Sequence, residues 1–131
     1  MTPLEPHQAL VRELFTALAE HDLATLQILL CPQVVLHVPG QHPVAGEYQG
    51  YAGLLDFWSK LSRRAAGNLE LRLEEVLAKA DLATALCTDW AEREGKHLES
   101  RVVYVLRLEE GRIAEVWIHN YDQYAVDAFW N

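Results

Sequence analysis

The run from residue 69 to residue 120 constrains this chain more than any other stretch. It reads as four strand-like segments, LELRLEEVLAK, ATALCTDWAERE, HLESRVVYVLRLEE and RIAEVWIHNY, with turns at Glu94-Gly95-Lys96 and Glu110-Gly111 among them. Leucines at 69, 71 and 73 give the first segment the period of two expected of a strand with one buried face. Two of the segments look roughly twice the usual ~5–6 residues. Long antiparallel strands joined by tight turns twist and curl, so this run predicts a bent sheet with one concave face.

The residues before it read mostly as helix. Over 8–20, Leu10, Val11, Leu14, Phe15 and Leu18 recur at helical spacing. His21-Asp22 interrupts the run, and Asp22 is placed to cap a second short helix, LATLQILL, which Pro32 ends. Residues 33–38 switch to strand-like VVLHV, and PGQHPVAGEYQGYAG is turn-rich. From about 53 to 65 the pattern is helical again, with Leu54, Leu55, Phe57, Trp58 and Leu61 on the apolar side. The tail DQYAVDAFWN predicts a final helical turn with Phe129-Trp130 as an apolar plug. The order α-α-β-α-β-β-β-β implies an α+β fold of one domain over 1–131. It is a cone-shaped α+β barrel, a curved antiparallel sheet wrapped around three N-terminal helices. A curled sheet closed by helices leaves an interior that is hard to fill, so a pocket is expected.

Charge and motifs exclude several functions. The net charge is −8 and the densest basic run is Arg63-Arg64, so no nucleic acid is expected as partner. No window approaches the ~20 apolar residues that span a bilayer, so no membrane is expected either. The first residues carry neither a basic nor an apolar leader region, which points to a cytoplasmic protein. Cys31 and Cys87 lack metal-ligand spacing and read as buried thiols, with a disulfide as the other reading. His37 and His42 lie five apart across a Pro-Gly turn, and His119 and Asp122 three apart at a strand end. Neither pair makes a metal triad, so no metal is expected. No phosphate loop, GxSxG elbow or dinucleotide fingerprint occurs, and no cofactor is expected.

Three segments together resemble the SnoaL-like branch of the nuclear transport factor 2-like superfamily. They are VRELFTALAEHDLATL, VVLHVPGQHPVAGEYQGYAGLLDFW and REGKHLESRVVYVLRLEEGRIAEVWIHNYDQYAVDAFW. The superfamily includes ketosteroid isomerases, limonene epoxide hydrolases and polyketide cyclases. The resemblance implies that His37 stands where the isomerases keep a catalytic aspartate, and that Tyr104 replaces an oxyanion-donating acid. Phe15 matches a first-helix tyrosine but lacks its hydroxyl, which argues against steroid isomerisation. In the family's register Asp89 faces inward with Cys87 and Ala91, where it would orient His37, whereas the opposite register would bury Trp90 and expose the carboxylate. Asp122 falls near the acid–base aspartate of cyclases and epoxide hydrolases, and also reads as a cap for the final helix.

The same register puts Val116, Ile118 and Asn120 on the pocket wall, with Trp117 and His119 on the convex face, a homodimer interface in this superfamily. Phe15, Tyr48 and Trp58 would make the pocket apolar and aromatic, suited to a small hydrophobic ligand. Two functions follow as expectations. One is an isomerase, cyclase or hydrolase that moves protons with its own side chains. The other is a non-catalytic hydrophobic-ligand-binding or dimerisation module.

Overall fold

The computed structural model describes residues 5–66 and 68–131. Its elements run α1 (Glu5–Glu20), α2 (Leu23–Leu29), β1 (Leu30–Val38), β2 (Gly46–Gln49), α3 (Gly50–Ala65), β3 (Leu69–Lys79), β4 (Leu82–Arg93), β5 (Lys96–Glu109), β6 (Arg112–Asn120) and α4 (Gln123–Trp130). The α1 stripe buries Val11, Leu14 and Phe15 against the sheet. His21 turns the chain with a left-handed backbone, φ 55°, and Asp22 then caps α2. Its carboxylate accepts the Thr25 amide at 3.1 Å and the Thr25 hydroxyl at 2.6 Å. Such a cap is worth ~1 kcal/mol.

Six strands form one open sheet in the order β2-β1-β6-β5-β4-β3. The β4–β5 and β5–β6 hairpins turn on Glu94-Gly95 and Glu110-Gly111, where both residues of each pair have positive φ. That turn matches the right-handed twist of the flanking strands. Register shifts between Leu73 and Glu75, Arg107 and Leu108, and Leu30 and Val35 bend the sheet further.

Two details differ from the expectation. The sheet is mixed, because β1 pairs with β6 in parallel, Leu36 opposite Val116. The stretch read as turn-rich also contains β2, four residues paired antiparallel to β1. So short an edge strand, bounded by glycines, carries no usable period.

The concave face holds two packed clusters. The larger joins α1 and α2 to the strands around Leu106 and Ile113, both without exposed surface. Fully burying such a side chain contributes ~1.5–3 kcal/mol. The smaller collects Val44, Leu61, Ala91, Val126, Phe129 and Trp130, so α4 does plug one end. Arg93, Lys96 and Arg64 hydrogen-bond the last carbonyls of α4, where the helix dipole favours cations. Gly40, φ 111°, lets the loop after β1 approach this helix, since a Cβ there would meet Asp127 and Gln123 at 2.3 Å. Both cysteines are free thiols. Among the described residues, no helix is long and apolar enough to cross a membrane, and no group of three metal-ligating side chains converges.

Candidate functional site

Alternation along the strands decides what the interior sees. On β4, Ala85, Cys87 and Ala91 are buried on the concave side, which turns Asp89 the same way. On β5, Val102 and Leu106 are inward, and Tyr104 between them shares their face. The α1 helix lays Phe15 edge-on against Tyr104, with centroids 5.2 Å apart. Between helices and sheet lies a cavity of about 160 Å³. Its wall is mostly aliphatic and aromatic and includes Phe15, Trp58, Val116, Ile118 and Asn120.

The polar centre of this cavity is one hydrogen bond. Tyr104 donates its phenol to Asp89 Oδ2 at 2.6 Å. Asp89 Oδ1 is buried and has no partner. Burial therefore pushes the Asp89 carboxyl up to about 7, and the Tyr104 hydrogen bond holds it back from going further. Tyr104 is itself pushed well above the ordinary tyrosine range, by burial first and then by the Asp89 charge. A phenol that stays protonated donates at every physiological pH, so the carboxyl is fixed in orientation while its own proton comes and goes.

Four residues expected at the site lie elsewhere. His37 is on the convex face, because Val34, Leu36 and Val38 of the same strand point into the cavity. Its ring stacks on Trp117 at 5.4 Å and meets Glu115 at 2.5 Å and Glu47 at 3.4 Å. It is thus a surface ion-pair residue, remote from Asp89. Asp122 caps α4 by accepting the Ala125 amide at 3.1 Å, and it does not line the cavity. Tyr48 is buried beside Phe57 behind the wall, its hydroxyl donated to Val44 O at 2.7 Å. Cys87 packs inside the core rather than on the lining, and burial pushes its thiol up to about 12. Trp117 and His119 sit on the convex face, as their parity implied.

Three other residues on the cavity wall were not among the site residues expected from the sequence. Ser100 is the cross-strand partner of Asp89 and is buried with an unpartnered hydroxyl. Its signal was available, since 98, 100, 102 and 104 share one parity. His42 accepts the Val44 amide on Nδ1 at 3.1 Å, and burial lowers its pKa, which favours the neutral ring. His21 accepts the Trp58 indole N–H at 3.1 Å.

The family model of the SnoaL-like domain matches residues 11–116. The chain belongs to the SnoaL-like family. It is 33% identical to an uncharacterised protein of Mycobacterium tuberculosis over 92% of this chain and 93% of that one. Among solved structures, Bal32a from a soil-derived mobile gene cassette superposes with a TM-score of 0.94 at 27% identity, covering 99% of this chain and 100% of that one. A protein of unknown function with a cystatin-like fold from Xanthomonas campestris follows at 0.87 and 29%, covering 94% and 96%. The SnoaL-like match runs from within α1 into β6, so Asp89, Ser100 and Tyr104 lie inside it and α4 outside.

Proposed function

We propose that this SnoaL-like protein binds a small hydrophobic carbonyl compound in its cavity and moves a proton at Asp89. The observation that carries this reading is a carboxyl poised near neutrality, held by a tyrosine on the wall of an apolar cavity. A general base works best when its pKa lies near the working pH. The ionised carboxyl takes a proton from the carbon beside the carbonyl and leaves an enolate. Returning that proton to another carbon completes an isomerisation. Attack of the enolate on a second carbonyl would instead give an aldol-type cyclisation. In this reading Asp89 is the catalytic residue and Tyr104 positions it.

Deuterium exchange into the methyl group of acetophenone, followed by NMR in D2O, tests the reading. The wild-type protein is expected to accelerate exchange, with the rate rising as pH climbs through about 7, where Asp89 ionises. Asp89→Asn removes the acceleration. Tyr104→Phe shifts the midpoint upward, because the hydrogen bond that stabilises the carboxylate is gone. If acetophenone raises the melting temperature with no exchange above background, the protein is a binding module and the catalytic reading falls.

The convex face supports a second proposal, a homodimer. Leu77, Leu82 and Leu86 are exposed large hydrophobics on it. Thr84, Val105, Trp117 and His37 form one row across the paired strands. Charges of both signs, Arg107 with Glu47 and Glu115, lie in the same patch beside His37. A two-fold interface places one patch on its own copy, so it needs both signs. Trp117→Ala is expected to yield monomer in light scattering, and an unchanged mass rules this interface out.

A further inference from the structure

Tallying the polar groups around the cavity leaves two atoms unsatisfied. Tyr104 has committed its hydroxyl to Asp89 Oδ2, the Asn120 amide donates to Gln123, and His42 Nδ1 accepts from Val44. Asp89 Oδ1 and Ser100 Oγ have no partner at all. Ser100 is only 6% exposed and is the one buried polar residue in the core among the described residues. The two residues face each other across β4 and β5, so their side chains leave the sheet on the same side. Directly opposite residues hold their Cβ atoms about 4.5–5.5 Å apart. Neither oxygen bonds the other. A buried polar atom left unpaired loses its bond to water without replacement, so two together are an expensive arrangement unless a ligand completes them.

We propose that Asp89 and Ser100 form a two-point anchor for a ligand whose polar end carries a carbonyl and a hydroxyl on adjacent carbons. This inference rests on the cavity reading above and narrows it to one substrate class, small aromatic or alicyclic α-hydroxyketones. The ligand hydroxyl donates to Asp89 Oδ1 while its carbonyl accepts the Ser100 hydroxyl. A compound with one oxygen leaves one of the two protein atoms orphaned. The rest of the wall is mostly apolar, and its other polar side chains, Asn120, His42 and His21, already hold hydrogen bonds within the protein, so the second oxygen of such a ligand is best met here. Size agrees with a single ring: a cavity of roughly 150 Å³ holds benzene, and this one measures about 160 Å³. The carbon that loses its proton in enolisation is then the one bearing the hydroxyl, and it sits beside Asp89.

Calorimetric titration of the full chain at pH 8 with ethylbenzene, acetophenone, 2-phenylethanol and α-hydroxyacetophenone tests the anchor. α-Hydroxyacetophenone is expected to bind at least tenfold tighter than either one-oxygen compound. Ser100→Ala should reduce that preference to less than threefold and leave ethylbenzene affinity unchanged. It should also fold at least as well as wild type, because it deletes an unpartnered hydroxyl. Ser100→Thr keeps the hydroxyl and should keep the preference. Equal binding of the three oxygenated probes, with ethylbenzene bound, overturns the anchor and leaves the cavity reading standing. A preference that survives in Ser100→Ala also overturns it. If even ethylbenzene fails to bind, the cavity reading falls and the anchor with it.

Discussion

The two faces of one sheet treat ionisable side chains in opposite ways. Asp89, on the concave face, has one hydrogen bond, an orphaned oxygen and a proton affinity raised by burial. His37, on the convex face, has two carboxylates within 3.4 Å and a quarter to a third of its surroundings open to water. Each lies one residue from a side chain of the other kind. Leu36 lines the cavity beside His37, and Thr88, next to Asp89, hydrogen-bonds Glu74 outside it. A strand residue acquires its chemistry from the side it is turned to, more than from its type. A carboxylate surrounded by hydrocarbon keeps its proton to higher pH, whereas an imidazole among carboxylates becomes a surface contact.

Substitutions on the two faces should therefore differ in size and in pH dependence. The largest effect is expected inside. Leu106 has no exposed surface, and Leu106→Ala should cost ~2–5 kcal/mol in urea denaturation, while Val105→Ala on the next residue outward costs under ~1 kcal/mol. Equal costs would mean that the convex face is as well packed as the core.

Asp89→Asn comes next and sharpens the contrast through pH. The folded protein holds the Asp89 proton up to about 7, against an ordinary value of 3.8. The folded state therefore binds this proton more tightly than the unfolded state. That part of the stability is full below about 4 and is lost as pH rises through about 7. Asparagine cannot ionise, so the variant should be more stable than wild type by roughly 4 kcal/mol at pH 8 and no more stable at pH 4. Thermal melts at the two pH values check this, and a gain that does not depend on pH would mean that folding leaves the Asp89 proton affinity unchanged.

The smallest effect is expected at His37. Its ion pairs are partly open to solvent, where such pairs are worth ~0–1 kcal/mol. His37→Ala should shift the melting temperature only slightly and leave acetophenone exchange at the wild-type rate. Loss of exchange would return His37 to the cavity and invert the assignment of faces.

The sequence disclosed this division unevenly. Where hydrophobic and polar residues alternate, parity was readable. LELRL gave β3 its inner face, while on β4 two registers were open, one burying Trp90, and the family's register turned Asp89 inward with Cys87 and Ala91. VVLHV has no polar residue except the histidine itself, so its period is silent, and the family's register placed His37 on the wrong side. Asp122 illustrates a different ambiguity, since an aspartate before a helix satisfies a cap and an acid–base motif with equal ease. The parallel pairing of β1 with β6 left no local trace. It depends on partners about 80 residues apart and on a connection that no single strand records. Ser100 was legible by parity but small enough to pass as an edge residue.

That parallel joint also orders the assembly of the molecule in time. Asp89, Ser100 and Tyr104 belong to a single hairpin closed by a two-residue turn, and they meet as soon as β4 and β5 zip together. The opposite wall, with Leu36 and Val38, must wait for β6 to be made and for the chain to close a loop about 80 residues long. Closing that loop is the costlier step, so the hairpin that carries Asp89, Ser100 and Tyr104 is expected to form before the wall opposite it.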